Sequence, residues 1–179
     1  MLTVDNSLLL VIDFQDRIMH TIHRYEELAK KTATMIAGCR VLDIPIITTQ
    51  QYTKGLGETI GELKETLGEF EHIEKITFSC MGEPAFESAL RGAGRLNVIV
   101  TGIEAHICVQ QTVLDMLAGG YNVYVIADCI GSRSENDYHY AVKRMEQAGA
   151  VFTTVESALF EMLVRADNPK RKDITNLVK

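Results

Sequence analysis

The sequence is poor in the features that mark nucleic-acid-binding, membrane and disulfide-stabilised proteins. Its 179 residues carry a formal net charge of −6, so we expect no basic face for a nucleic acid. The one basic cluster, at 170–172, is best explained as part of a solvated C-terminal tail at about 166–179. No apolar run approaches the ~20 residues that span a bilayer. We therefore expect neither a nucleic-acid partner nor a membrane partner.

Cysteine and histidine are also too sparse to build a metal site. The four cysteines are irregularly spaced, which argues against a disulfide framework, and reduced thiols favour a cytoplasmic location. The five histidines show neither His-x-His nor His-Glu-x-x-His spacing, so we expect no metal. Glycines at 55, 57 and 61 match no phosphate-binding or dinucleotide fingerprint. They predict a turn or mobile loop, and no cofactor.

Short apolar runs alternate with longer segments of helical period along the whole chain. The run at 8–12 ends in Asp13 without a basic leader or a cleavage site, so it predicts a strand rather than a signal peptide. The pattern predicts six strands, at 8–13, 45–49, 73–77, 96–101, 122–127 and 150–154. No linker or repeat divides the chain. We predict one domain, 1–179, an α/β three-layer sandwich with a six-stranded, mainly parallel Rossmann-like sheet.

Chemically active side chains stand at the ends of three predicted strands. Because ligands of such sheets bind outside the carboxyl ends of the strands, Asp13, Lys75 and Cys108 are candidates for one site. Cys108 is predicted near the start of a helix, where amides and the helix dipole lower a thiol pKa. If Lys75 is buried beside both, its charge would lower both pKa values. Taken singly, the three fit a capping carboxylate, a surface lysine and an inert thiol equally well or better.

The sequence suggests two further candidate residues but does not decide their roles. His106 lies two positions before Cys108 and is a secondary candidate for its base. Arg133 is a candidate to receive a substrate carboxylate, although a structural pair with Asp128 or Asp137 is favoured.

Four segments together resemble the isochorismatase-like cysteine hydrolases. They are Glu-Lys-Ile-Thr-Phe-Ser at 74–79, Thr-Gly-Ile-Glu-Ala-His-Ile-Cys-Val at 101–109, Thr-Gln-Gln-Tyr-Thr-Lys-Gly-Leu-Gly at 49–57 and Ala-Asp-Cys-Ile-Gly-Ser-Arg at 127–133. With Asp13, the likeness covers nearly the whole chain. It is nearest to the small isochorismatase-domain proteins.

The resemblance implies a catalytic triad of Asp13, Lys75 and Cys108 without a metal. It also implies a cis peptide between Ile103 and Glu104, and an oxyanion hole formed by the backbone N–H groups of Glu104 and Cys108. Amide hydrolysis of a small molecule through a Cys108 thioester is the implied chemistry, and a homo-oligomer is the implied assembly. The possible substrate pocket consists of Phe14, Gln51, Tyr52, His106 and Arg133.

Several alternatives stay open beside this interpretation. A metal-dependent nicotinamidase is disfavoured because Gln50, Gln51 and Tyr52 stand where that branch carries Asp-x-His. An isochorismatase-type ether hydrolase is a further alternative, since the superfamily contains both chemistries. A non-catalytic scaffold or redox-sensing binding protein would retain the fold and an unreactive Cys108. A flavodoxin-like cofactor binder shares the βα pattern but lacks support from a glycine-rich fingerprint.

Overall fold

The computed structural model describes all residues, 1–179, and contains six β-strands. Three of them, at 7–12, 97–103 and 122–131, are rich in buried Val, Ile and Leu, as expected for strands that are covered on both faces. In chain order the strands are β1 (Ser7–Ile12), β2 (Ile46–Gln51), β3 (His72–Lys75), β4 (Asn97–Ile103), β5 (Asn122–Gly131) and β6 (Val151–Thr153).

Nine α-helices connect or follow the strands. They are α1 (Asp16–Met19), α2 (Tyr25–Val41), α3 (Thr53–Leu56), α4 (Gly61–Leu67), α5 (Pro84–Ala93), α6 (Gln110–Ala118), α7 (Glu135–Gln147), α8 (Val155–Leu163) and α9 (Arg171–Val178). Short 3-10 turns form at Val4–Asn6 and Cys80–Gly82, and a π-helical turn, Ala105–Val109, joins β4 to α6. None of the helices combines the length and apolar character needed to cross a membrane.

All five strand pairings are parallel, and the strand order is β3-β2-β1-β4-β5-β6. The chain moves outward from β1 to β3, crosses back to β4 beside β1, and moves outward again to β6. The order therefore reverses between β1 and β4. In open α/β sheets this switch point leaves a crevice at the carboxyl ends of the strands, where ligands bind.

Successive residues of each strand point to opposite faces of the sheet, and each face carries its own hydrophobic layer. One sheet face packs against helices α1, α2, α4, α8 and α9, and the other against α5, α6, α7 and the π-helical turn. Leu9 and Val11 of β1 enter the first layer, whereas Leu10 and Ile12 enter the second, together with Cys108. The predicted three-layer sandwich is confirmed, with a sheet that is parallel throughout.

The predicted strands are present, but several boundaries differ. β4 extends to Ile103 and β5 extends to Gly131, because both strands continue their pairing beyond a register shift between Val100 and Gly102. The predicted C-terminal tail contains α9, which packs against α2 and α8. Ile174 of α9 is fully buried, so a large part of this segment is folded structure rather than a solvated tail.

Candidate active site

Asp13, Lys75 and Cys108 converge at the carboxyl edge of the sheet. Asp13 follows β1 and Cys108 follows β4, so the two residues flank the switch point. Lys75 ends β3, which β2 separates from β1 by about 10 Å at the usual strand spacing. The extended lysine side chain crosses β2 and places its Nζ 2.7 Å from Asp13 Oδ2.

Asp13 is a buried carboxylate on a turn with left-handed backbone geometry. Its φ of 55° is unusual for a residue other than glycine and turns the chain out of the sheet at this point. Oδ1 accepts a hydrogen bond of 2.8 Å from the Thr49 hydroxyl. Oδ2 lies beside the Lys75 charge, and no donor is well aligned for a hydrogen bond to it. Oδ2 is therefore the oxygen with capacity to accept a proton.

Lys75 is surrounded by oxygen acceptors. Besides Asp13, its Nζ donates to Gln51 Oε1 at 2.6 Å and to the carbonyls of Thr77 and Phe78 at 3.2 and 3.1 Å. Burial lowers the pKa of Lys75, but the Asp13 charge, with further contributions from Cys108 and Cys80, outweighs burial and raises that pKa overall. The lysine thus carries its charge throughout the physiological range and fixes the backbone that follows β3.

Cys108 lies inside the π-helical turn rather than at the first turn of an α-helix. Its side chain is in the second hydrophobic layer, and the residue is 7% exposed, whereas Cys39, Cys80 and Cys129 are fully buried. The thiol is near enough to the Asp13 carboxyl for a hydrogen bond to influence both pKa values. Cys108 is thus the cysteine that solvent and a small molecule can reach most easily.

The turn before Cys108 has an irregular pattern of backbone hydrogen bonds. The peptide bond between Ile103 and Glu104 is cis. The Glu104 carbonyl accepts hydrogen bonds from the N–H groups of Ile107 and Val109, at 3.0 and 3.3 Å. It accepts none from the N–H group of Cys108, which lies between them in the sequence. Among the backbone hydrogen bonds of turns and loops, none is donated by the N–H group of Glu104.

A glycine allows β1 and β4 to approach each other beside the site. Gly102 has a φ of 154°, and a Cβ at this position would lie 2.5 Å from the Cβ of Ile12 and 2.9 Å from its carbonyl oxygen. Only glycine fits here without displacement of β1. The close approach brings the turn after β4 against the end of β1, and hence Cys108 against Asp13.

The Lys75 charge lowers the pKa values of Asp13 and Cys108, as expected, but the net shift of both pKa values is upward. Burial raises the pKa of the Asp13 carboxyl, and the contacts with Lys75, Thr49 and Cys108 compensate only in part. Burial raises the pKa of Cys108 to about 12, Asp13 adds to this rise, and Lys75 opposes it. Desolvation thus exceeds the effect of the lysine charge for both groups. At neutral pH Cys108 is therefore a thiol.

The five predicted pocket residues lie in different surroundings and do not form one pocket wall. Gln51 contacts Lys75, and its Nε2 donates to the Ile76 carbonyl at 2.8 Å. Tyr52 is 51% exposed, whereas Phe14 is buried in the first hydrophobic layer, on the sheet face opposite Cys108. The segment around Tyr52 was predicted as a turn or mobile loop, but it forms α3.

His106 and Arg133 have partners other than those considered from the sequence. His106 Nδ1 lies 2.9 Å from the hydroxyl of Ser132, so the imidazole is engaged away from Cys108. The favoured pairing of Arg133 with Asp128 or Asp137 is wrong. Its Nε donates to both carboxylate oxygens of buried Glu104, at 3.1 and 3.0 Å.

A cleft lies beside these residues, at the carboxyl end of β5. It encloses about 430 Å³, and its walls come from the turn before α2, the end of β5 and the start of α7. His23 and Glu135 pair across it at 3.3 Å, and Ser132 connects its wall to His106. No group of three or more His, Cys, Asp or Glu side chains is placed to hold a metal ion.

Two residues at the site escaped prediction from the sequence. Thr49 contacts Asp13, and the Sγ of Cys80 lies 4.0 Å from Thr49 Oγ1. Thr49 also lies near the end of a strand, so the rule that selected Asp13 could have selected it. Cys80 lies on a 3-10 turn whose position the periodicity did not indicate.

Comparison with known proteins agrees with this fold. The family model described as isochorismatase domain matches residues 7–157. The chain belongs to the isochorismatase family. It is 35% identical over 174 residues to isochorismatase domain-containing protein 1 from Danio rerio, covering 97% of this chain and 61% of that protein. The chain thus spans less than two thirds of the length of this relative.

Solved structures of relatives share the complete isochorismatase-type fold. The structure of MAR1 ribonuclease from Caenorhabditis elegans matches with a TM-score of 0.93 and 42% identity, covering 99% of this chain and 91% of that chain. The YcaC gene product of Escherichia coli matches with a TM-score of 0.90 and 21% identity, covering 99% and 94%. It is described as an octameric hydrolase of unknown specificity, and at this identity it shows the fold alone.

Proposed function

We propose that this isochorismatase-family protein is a metal-independent cysteine hydrolase that cleaves the C–N bond of a small amide. The observation that carries the proposal is the ion pair of Asp13 with Lys75, at 2.7 Å, beside the Cys108 thiol. A nucleophile, a proton acceptor and a fixed cation lie together at the sheet edge where α/β enzymes bind ligands.

The raised thiol pKa favours proton transfer during attack over a resting thiolate. As Cys108 Sγ attacks the amide carbonyl, its proton passes to Asp13 and a tetrahedral oxyanion forms. The C–N bond then breaks, and Asp13 returns the proton to the departing amine, which leaves a thioester on Cys108. Water attacks the thioester with Asp13 again as base, and this releases the carboxylic acid and the thiol.

The remaining groups stabilise charge in this scheme. The backbone N–H groups of Glu104 and Cys108 would donate hydrogen bonds to the oxyanion. This role is supported by the absence of a hydrogen bond from the Cys108 N–H to the Glu104 carbonyl. Lys75 retains its proton and stabilises Asp13 as an anion before each transfer. Gln51 orients Lys75 from the side opposite the carboxylate.

The test is mass spectrometry of the acid-quenched protein after exposure to a panel of small amides, esters and vinyl ethers. We expect an acyl adduct on Cys108 with one class of amide, and release of the matching amine. Cys108→Ala should form no adduct and lose turnover. Cys39→Ala, which removes a buried thiol from the opposite layer, should behave like the wild type. Undiminished hydrolysis by Cys108→Ala would refute the proposal.

The panel also discriminates the alternatives. Turnover of a vinyl ether without an adduct would indicate isochorismatase-type ether hydrolysis. An unreactive Cys108 would indicate a scaffold or binding protein. RNA belongs in the panel because the Caenorhabditis elegans relative is described as a ribonuclease. A net charge of −6 provides no general attraction for a polyanion, so we place a small amide first.

A homo-oligomer and a cytoplasmic location stay predictions. Sedimentation velocity of the purified protein tests the first, with a species larger than the 20.0 kDa chain as the expected result. Cell fractionation with an antibody to the protein tests the second.

A further inference from the structure

The buried carboxylate of Asp13 is held by a residue that the catalytic scheme does not use. Thr49 lies on β2 and is fully buried. Its hydroxyl donates to Asp13 Oδ1 at 2.8 Å, and its carbonyl accepts from the Asp13 N–H at 3.2 Å. One residue therefore fixes both the backbone and the carboxyl group of Asp13.

The contact makes the two carboxylate oxygens unequal. The Thr49 hydroxyl has a single proton, which it donates to Oδ1, so Oδ1 has an aligned hydrogen-bond donor. Oδ2 faces the Lys75 ammonium and lacks an aligned hydrogen bond. A carboxylate that could rotate would exchange these two positions, so neither oxygen would keep a fixed set of neighbours.

Cys80 completes this arrangement from the opposite side. Its Sγ lies 4.0 Å from Thr49 Oγ1, and its backbone N–H donates to the Thr112 hydroxyl at 2.9 Å. Since the Thr49 proton is directed to Asp13, the Thr49 oxygen can accept from the Cys80 thiol. Burial raises the pKa of Cys80 to about 11, so Cys80 keeps the proton that it donates.

We propose that Thr49 is a positioning residue that holds Oδ1 of Asp13 and so assigns Oδ2 to proton exchange with Cys108, with Cys80 fixing the Thr49 hydroxyl. The proposal rests on the proposed function, in which Asp13 is the base. Four groups face Asp13: Thr49 from β2, Lys75 from β3, Cys80 from its 3-10 turn and Cys108 from the π-helical turn. Of these, Thr49 can be replaced without a change in formal charge or in the number of thiols.

The experiment compares three variants. Thr49→Val removes the hydroxyl and keeps the shape, whereas Thr49→Ser keeps the hydroxyl. Thr101→Val is the matched control, because Thr101 is fully buried and donates to the Leu10 carbonyl at 3.1 Å, without contact to Asp13. The primary measurement is a ¹³C NMR titration of the Asp13 carboxyl, assigned with Asp13→Asn.

The hydroxyl contact is one of those that lower the Asp13 pKa, so its removal should raise that pKa. We expect a rise of about one pH unit in Thr49→Val, the effect of one hydrogen bond to a charged group. Thr49→Ser and Thr101→Val should titrate like the wild type. Equal titration of Thr49→Val and Thr101→Val would overturn the proposal.

A second measurement separates this inference from the proposed function. The second measurement is the pH dependence of the rate at which iodoacetamide alkylates Cys108, followed by peptide mass spectrometry. At the acid side this rate should fall at a higher pH in Thr49→Val, in step with the Asp13 titration, and in no other variant. A fall that stays at the wild-type pH in Thr49→Val would overturn the assignment of Oδ2. A Cys108 that is unreactive in the wild type would overturn the proposed function and the proton exchange with it, whatever the titration shows.

Discussion

Replacement of Lys75 by methionine measures what the buried ion pair contributes to the fold. Methionine keeps an unbranched side chain and removes the ammonium, so Asp13 remains as a buried charge without its partner. Gln51 and the carbonyls of Thr77 and Phe78 lose their donor as well. Breaking a buried pair from one side costs about 3–5 kcal/mol, a large part of the ~5–15 kcal/mol that stabilises a typical domain.

The loss should depend on pH in a defined direction. Burial already raises the folded-state pKa of Asp13 above its ordinary value, and removal of Lys75 raises that pKa further. A group whose folded pKa is raised binds more protons in the folded state, so its contribution to stability is lost as pH rises through the folded pKa. The slope is at most about 1.4 kcal/mol per pH unit. Lys75→Met should therefore be more destabilised at pH 8 than at pH 5.

Urea unfolding at pH 5 and pH 8 measures both effects. In the double variant with Asp13→Asn the additional pH slope should disappear, because no carboxylate remains to titrate. Lys170→Met is the matched control, since Lys170 forms a partly exposed pair with Asp43 and should cost less than about 1 kcal/mol. A Lys75→Met loss no larger than that of Lys170→Met at pH 8 would refute the reasoning, as would a slope that survives in the double variant.

Further variants test the fold around the site by urea unfolding. Gly102→Ala should lose about 3 kcal/mol or more, because its Cβ would lie 2.5 Å from β1, whereas Gly92→Ala in α5 has open space and should gain about 0.5–1 kcal/mol. Ile174→Ala should cost about 2–5 kcal/mol if α9 is integral to the core, and an unchanged midpoint would contradict this. Arg133→Gln should cost about 1–3 kcal/mol, because Glu104 stays buried and loses its cation; a neutral effect would argue against this pair.

The alternation of apolar runs and helical segments was enough to predict the sheet and its three layers. Strands that are buried on both faces have nearly continuous apolar sequence, and this signal is independent of their order in the sheet. The convergence of Asp13, Lys75 and Cys108 followed from a second general property, since parallel strands present their carboxyl ends at one edge. Neither property required knowledge of the loops.

Features that depend on three-dimensional surroundings could not be predicted in the same way. The pKa direction for Cys108 depends on how completely the thiol is desolvated, and the sequence indicated only the favourable helix terminus. The partner of Arg133 is Glu104, which precedes it by 29 residues and is reached through the turn after β4. The π-helical turn lies where the sequence predicted a short turn and the start of a helix.

The strand order explains why polar residues that contact the reacting groups lie on β2. Lys75 starts from the edge strand and must cross β2 to reach Asp13, so side chains at the end of β2 necessarily line its path. Gln51 and Thr49 point to the same face because they are two residues apart, and they meet Lys75 and Asp13 respectively. An active site assembled from strands β1, β3 and β4 therefore requires polar residues on β2, although β2 supplies none of the three reacting groups.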